Sequence, residues 1–453
     1  MLRKNDVITA EITGYTSEGA GVCRAEDGMA VFVRDAIAGE RAQIRIEHVG
    51  RTAAYARIVR LETVSPHRVQ RECPVGKACG GCAFWHMDYR EELRLKAQRV
   101  RDALIRIGGV DPGEVPILGG TTYLGYRNKA QYPVAPGPDG PVAGFFRAGT
   151  HSVIPVQRCL IQPEQADAAR EAVLAWMRRW NVPAYCERAH TGLVRHIYVR
   201  TSSDGRALVC VVGSGGVPAH AEDLTERLRA AVPGLRAVLW NENRSRGNVV
   251  LGREFQTLLG DGILEETLCG LRFRLSAGAF FQVNREQAER LYETALSLAG
   301  LTADDTVLDL YCGTGTITLC AARQAGKAYG VEVVEAAVAD ARENAARNGI
   351  ANAEFFCADA GQAAQRFAGE GIHPDVILVD PPRKGLGPEV VDAMAQMAPQ
   401  RIVYVSCDPA TLARDVRRLA ACGYQARTVR AVDMFPRCAH VETVVLLSKL
   451  NTK

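Results

Sequence analysis

Apolar and polar residues alternate in short runs along the first 64 positions: Val7 to Tyr15, Gly19 to Arg24, Met29 to Val33, Arg41 to His48 and Thr52 to Leu61, with glycine turns between. Strands this short at even spacing predict a small closed barrel. Beyond them the period changes. Tyr89 to Ile107, Gln162 to Trp180 and Ala221 to Ala231 repeat their apolar positions at helical spacing, while Leu193 to Thr201 and Leu208 to Val212 read as strands. That mixture predicts an α+β domain over residues 65–275. From 276 to 453 the pattern becomes one of short continuous apolar runs between helical stretches, including Val307 to Leu310, Ala328 to Val331, Val376 to Val379 and Ile402 to Val405. Runs of that kind predict a buried, mostly parallel sheet in an α/β domain.

Several of these apolar runs end on residues with chemistry. The run before Cys407 stops at Ser406; Asp408 then offers a helix cap, Pro409 suits the first helical position and Gly423 supplies the stop. Cys407 therefore sits at the carboxyl end of a strand, where open α/β sheets bind ligands. A helix N-terminus there favours a thiolate and Asp408 opposes it, so the sign of the pKa shift stays open. Most free cysteines are small buried fillers, and that reading stands beside the functional one. In Asp309-Leu-Tyr-Cys-Gly-Thr-Gly, Gly313 and Gly315 lack the third glycine of a dinucleotide loop, because Thr318 takes its place. Carboxylates recur as Glu332, Asp359 and Asp380, the last followed by two prolines that stiffen the loop. Such residues are often only helix caps, but three successive strand ends in register make coincidence improbable.

Composition narrows the class. With 453 residues the chain has room for roughly three domains, and 47% hydrophobic with 23% charged residues is ordinary for a globular protein. No secretory block or membrane-length apolar stretch is present, so a cytoplasmic protein without a membrane partner is expected. Fourteen cysteines in that setting point away from disulfides and towards metal, cluster or catalytic roles. Cys73, Cys79 and Cys82 have ligand spacing, with His86 or Cys159 available as the fourth ligand, for zinc or for an iron–sulfur centre. The net charge of +4 is weak evidence for nucleic acid. Residues 1–64 carry nine basic and nine acidic side chains, whereas residues 65–180 carry sixteen Lys and Arg against eleven Asp and Glu, so the basic excess gathers around the cysteines. Tyr15, Phe32 and Tyr55 either fill the barrel or stack on bases. Arg127, Asn128 and Lys129, between Tyr126 and Tyr132, suit phosphate contacts or a solvated turn.

Taken together, these motifs resemble a known family. Gly-Ala-Gly-Val-Cys-Arg with Val-Phe-Val-Arg-Asp-Ala-Ile-Ala-Gly-Glu is similar to the TRAM domain, an OB-like RNA-binding barrel. Cys73-x5-Cys-Gly-Gly-Cys with the distant Arg-Cys159, Phe280-Phe-Gln-Val-Asn284, Asp380-Pro-Pro-Arg-Lys-Gly, Ser-Cys407-Asp-Pro and Asp433 to Glu442 resemble the RNA uracil-C5 methyltransferases, in their TRAM-bearing, iron–sulfur 23S rRNA branch. The resemblance implies a Rossmann-like methyltransferase domain using S-adenosyl-L-methionine. Gln282, Tyr311, Gly313, Glu332, Asp359 and Asp380 are then its contacts, and Thr316 stands where some relatives have Asn. It implies a [4Fe-4S] cluster on Cys73, Cys79, Cys82 and Cys159 in the central domain. The Arg127 to Lys129 stretch becomes a substrate contact.

The chemistry explains why a thiol and a carboxylate are both needed. Uracil C5 is a poor nucleophile until a thiolate adds to C6 and turns the ring into an enolate; Cys407 is the expected nucleophile. After methyl transfer a base must remove the C5 proton, and Glu442 is the expected base. The cluster and barrel favour 23S rRNA. Methylation of tRNA uridine-54 is the alternative within the class, and a non-catalytic RNA-binding iron–sulfur or zinc protein the alternative outside it. Asn284 and Gln287 are expected to cap the following helix together.

Overall fold

A computed structural model describes residues 2–450. Val7–Glu11, Gly14–Tyr15, Gly21–Arg24, Ala30–Arg34, Arg41–Val49 and Ala53–Thr63 form one six-stranded sheet. The alternation seen in sequence becomes one buried face, built of Ile12, Val31, Val33, Ile44, Ile46 and Ala54, and one wet face. Its aromatics divide their roles. Tyr55 is half exposed and stands edge-on to Phe32 at 5.6 Å. Tyr15 is a strut instead: its hydroxyl accepts from the Ala38 amide at 3.0 Å and donates to Glu91 at 3.1 Å on the first long helix.

The middle of the chain builds a seven-stranded mixed sheet whose four central strands are Lys129–Gly137, Val194–Thr201, Ala207–Gly213 and Leu235–Glu242. Helices Glu164–Arg179 and Ala221–Ala231 cover one face, closing a core around Tyr132, Trp176, Val199, Val209 and Trp240. The expected α+β architecture is present.

The last sheet has eight strands, in the order Ala353–Cys357, Lys327–Glu332, Thr306–Asp309, Val376–Val379, Arg401–Ser406, Glu442–Lys449, Tyr424–Val432 and Ile117–Leu118. Its first five strands are parallel, and Glu442–Lys449 enters antiparallel. Strand order reverses beside Thr306–Asp309, the switch point where such sheets open a crevice. Strand Ile117–Leu118 comes from far upstream, before the middle sheet begins. Helix Tyr89–Ala103, with its π-helical last turn Leu104–Gly108, likewise packs on helix Pro409–Ala421. Among the described residues no helix is long and apolar enough to cross a membrane.

A buried ionic cluster ties that upstream helix to the loop before the last strand. The Lys96 ammonium, 1% exposed, lies 2.7 Å from Glu92 and 2.6 Å from Asp433, and donates to the Phe435 carbonyl at 3.1 Å. Burial opposes its charge, but the two carboxylates more than offset that and hold it protonated. Tyr89 donates to Asp433 at 2.8 Å. The Arg437 amide donates to Glu92 at 2.7 Å, and its guanidinium, over the Tyr123 ring at 3.9 Å, donates to the Met87 carbonyl at 3.0 Å. Arg437 adopts a left-handed φ of 68° to reach this place. Two cations thus balance two carboxylates in a dry interior. Lys96→Ala leaves an uncompensated buried negative charge and should lower the unfolding free energy by about 3–5 kcal/mol in urea titration; a loss below about 1 kcal/mol would mean the cluster is screened like a surface pair.

Candidate active site

Four acidic or nucleophilic groups converge on the carboxyl edge of the eight-stranded sheet. Asp309 ends Thr306–Asp309, Asp380 follows Val376–Val379, Cys407 follows Arg401–Ser406, and Glu442 begins the antiparallel strand. The register pairs Ser406 with Thr443, so the next position on each strand brings Cys407 opposite Glu442. Asp408 caps the helix after Cys407 by accepting from the Ala410 and Thr411 amides at 2.9 and 3.0 Å, which fixes the corner.

The electrostatics of this edge follow from dryness and like charge. Burial, then the charge of Asp380, pushes Glu442 up to about 8, with Arg383 opposing. Burial and Asp309 push Asp380 up to about 7. The sign left open at Cys407 is now fixed: burial first, then Glu442 and Asp380, push its thiol up to about 11 against Arg383. The helix N-terminus does not win. Cys407 is half-buried and Glu442 is 3% exposed, with no hydrogen-bond donor to its carboxylate among the described residues. A protonated carboxyl and a neutral thiol face each other, a pair able to pass protons once a cation or substrate enters. Arg383, the opposing cation, lies 3.3 Å from His440; neither was singled out in sequence, although both fall inside quoted motifs.

The glycine loop lies beside this edge. Gly313 and Gly315 take positive φ values of 53° and 83°. A side chain added at Gly313 would project into open space, which is a cradle for a ligand, whereas at Gly315 it would press on Ala341 and Phe355 at 3.1 Å. Thr318, standing where a third glycine would be, donates to the buried Asp309 at 2.6 Å, and the Tyr311 amide donates to the same carboxylate at 3.2 Å. Asp309 therefore holds the loop. Glu332 accepts from the Gly313 amide at 3.2 Å and the Val334 amide at 2.9 Å. Asp359 caps helix Ala360–Gly369 through the Gly361 amide at 2.9 Å, so one of its oxygens already has a structural task. Thr316 bonds Tyr292 at 3.1 Å.

Gln282 is 9% exposed, and its carbonyl accepts from the Asn128 side chain at 2.9 Å. The Arg127 to Lys129 knot is thereby fastened to the segment that carries Gln282. Arg127 is no solvated turn residue: its guanidinium lies 5.8 Å from the Tyr126 ring and 5.9 Å from the Phe435 ring. Lys129 is lowered to about 8 by burial, then by Arg200 and Arg127. Asn284 caps helix Arg285–Ala299 and donates to the Met434 carbonyl at 3.2 Å, but the Gln287 side chain does not reach back and has no partner. Phe280, unassigned in sequence, is 69% exposed two residues before Gln282.

Among the described residues no group of three or more His, Cys, Asp and Glu side chains is arranged to hold a metal ion. Cys73, Cys79, Cys82 and Cys159 are free and half-buried, and the charges of Cys73 and Cys79 are felt at Cys159. Burial pushes Cys159 up to about 12, with Asp167, Cys79 and Cys73 adding to it, and Cys79 is raised by burial and by Cys73. Cys438, missed in sequence, shares a hydrogen bond with Cys82 that pushes the Cys82 thiol up and the Cys438 thiol down. His86 faces elsewhere: its ring lies 3.7 Å from Asp35, both nitrogens lack hydrogen bonds, and burial lowers it to about 4.

Comparison with known proteins places this geometry. Residues 244–450 match the family described as tRNA (uracil-5-)-methyltransferase, and residues 2–59 match the TRAM domain. An uncharacterized RNA methyltransferase of Halalkalibacterium halodurans is 40% identical over 99% of this chain and 98% of its own. One of Clostridium tetani is 38% identical over 100% and 98%. The Pyrococcus abyssi tRNA (uracil-54, C5)-methyltransferase, solved with S-adenosyl-L-homocysteine, superposes with a TM-score of 0.77 at 26% identity, covering 97% of this chain and 100% of that one. A TRAM domain, a cofactor-binding α/β sheet and full-length similarity to RNA methyltransferases thus place the chain in the S-adenosylmethionine-dependent RNA uracil-C5 methyltransferase family.

Proposed function

We propose that this enzyme methylates C5 of a uridine in 23S rRNA, with Cys407 as nucleophile and Glu442 as base. The observation that carries the roles is the antiparallel register that sets Cys407 against a dry carboxyl. S-adenosylmethionine, when bound, supplies an electrophilic methyl group and a positive charge. Gln282, Tyr311, Gly313, Glu332, Asp359 and Asp380 would hold it: the Gly313 cradle gives the room, and the strand-end carboxylates give acceptors for ribose hydroxyls and the adenine amine. Cys407 would release its proton to solvent and its sulfur would add to C6, the C5–C6 π electrons moving onto the C4–O4 enolate; C5 would then bond the methyl carbon while retaining its own proton. Glu442 later takes the C5 proton, after which the thiolate leaves.

The rRNA reading draws its support from the gathered thiols with the TRAM barrel; the tRNA reading is favoured by the Pyrococcus relative, whose substrate is tRNA uridine-54. Mapping 5-methyluridine in a deletion strain should show one uridine unmodified in 23S rRNA and tRNA unchanged. Loss confined to tRNA position 54 reverses the assignment.

Four thiolates suit a [4Fe-4S] cluster, and Cys73, Cys79, Cys82 and Cys159 would hold it. Their mutual charge effects, and the turning away of His86 towards Asp35, support this donor set over one with histidine. The cluster would clamp the 73–82 loop onto the segment at Cys159. Protein purified anaerobically should be brown, with about four irons per chain and less in Cys159→Ser. Stoichiometric zinc that depends on His86 would sink this reading.

Glu442→Gln should separate the halves of the reaction. Addition and transfer do not need Glu442, because solvent can take the Cys407 proton, so the variant should accumulate a protein–RNA adduct carrying labelled methyl, whereas Cys407→Ala should form none on denaturing gels. In the wild type, breakdown of that adduct should slow about tenfold per pH unit as the pH falls below about 8, because Glu442, raised by burial to about 8, is then protonated and cannot accept a proton. A Glu442→Gln variant with wild-type turnover would falsify the assignment.

A further inference from the structure

Away from the catalytic edge, the seven-stranded sheet carries a cavity of about 440 Å³ on the face opposite its two helices. That volume is in the range of built ligand sites. Its walls are aromatic and basic. Tyr185 carries the Arg195 guanidinium 4.6 Å from its ring centroid, and Phe146 lies against His151 at 5.2 Å with 32° between the rings. Arg188 stands exposed at the rim and pairs with no described carboxylate, since Glu187 is bound by His151 at 2.8 Å.

Two residues of the cavity lining each hold a buried polar atom without a partner: His196, 9% exposed, at Nδ1, and Arg195, 4% exposed, at Nε, its Nη1 already donating to the Asn243 carbonyl at 2.7 Å. Native interiors seldom leave such atoms unpaired, because each costs roughly 1–3 kcal/mol. A planar ring with donors and acceptors along its edge, entering between the aromatic walls, would satisfy both. Burial lowers His196 to about 4, so the ring is neutral and can serve as donor or acceptor.

The cavity is joined to the candidate site through one pair of strands. Strands Lys129–Gly137 and Val194–Thr201 pair His196 with Pro133, Tyr198 with Gln131 and Arg200 with Lys129, so His196 and Arg200 share a face four residues, or about 13 Å, apart. At the far end of that row Arg200 donates to the Ala279 carbonyl at 2.6 Å, next to Phe280 and Gln282 at the cleft. Lys129 and the buried Arg200, which also donates to the Tyr198 hydroxyl at 2.9 Å, put two cations on these strands between the candidate site and the cavity.

We infer that the cavity is an RNA subsite that takes one unstacked base from a nucleotide flanking the methylated uridine. This rests on the RNA substrate class proposed above. Unpaired bases are recognised by stacking on aromatic side chains and by bonds to their edges, with arginine at the phosphate. Phe146 and Tyr185 supply the stack, Arg195 and His196 the edge, and Arg188 the phosphate.

The test uses full-length protein and 4-thiouridine-substituted transcripts of 23S rRNA and of tRNA. Photocrosslinks should map to residues 140–153 or 183–197 as well as to the cleft. Phe146→Ala and Arg188→Glu alter side chains outside the helix-covered core; each should raise KM for RNA roughly 5- to 150-fold, the loss of one stacked base, with kcat and cofactor affinity unchanged. Wild-type KM in both variants, or crosslinks absent from both peptides, overturns the subsite. Crosslinks there without methyl transfer to either RNA would overturn the uridine reading and leave the subsite standing.

Discussion

The catalytic edge depends on a charge balance buried far from it in sequence. Lys96 and Arg437 neutralise Glu92 and Asp433 in a volume that water does not enter. Asp433 and Arg437 belong to the loop that leads into Glu442. Without the upstream helix, that loop would carry a buried carboxylate and a left-handed arginine with nothing to hold them. The same loop presents Cys438 to the cysteine segment and Phe435 to Arg127. One ionic cluster therefore fixes the last strand, the cysteine loop and Arg127 against each other.

Dryness sets the chemistry of the edge in the same way. Three carboxylates and a thiol share a low-dielectric corner with Arg383 as the opposing cation, and each acid pushes the next one up. The resting corner stores protons. Positive charge brought close to this corner would favour the anionic forms of these groups.

Much of this was legible in the sequence. The strand-end positions of Asp309, Glu332, Asp380 and Cys407 follow from apolar runs that stop abruptly, and the alternation of residues 7–61 gave the barrel strands. Two kinds of information were not legible. Propensity describes local structure, so nothing in Tyr89 to Ala103 announces that Glu92 and Lys96 are buried against residues more than 300 positions away; by pattern they read as a solvated ion pair. Nor does residue type fix the direction of a pKa. The helix N-terminus and Asp408 argued oppositely at Cys407, and the decision came first from burial and then from Glu442 and Asp380, which only the fold brings near. Arg195 and His196 read as ordinary strand residues, because an unpaired nitrogen is visible only once its surroundings are built.

Strand Ile117–Leu118 has a consequence for how the chain comes to be folded. It covers the edge of a sheet whose other members begin at Thr306, so a nascent chain displays it, with helix Tyr89–Ala103, long before its partners exist. Contacts of such sequence separation are slow to close and leave apolar surface exposed meanwhile. The middle sheet, complete in itself, can form during that wait. Being continuous in sequence, it is the segment that joins the upstream strand and helix to the rest of the layer they complete.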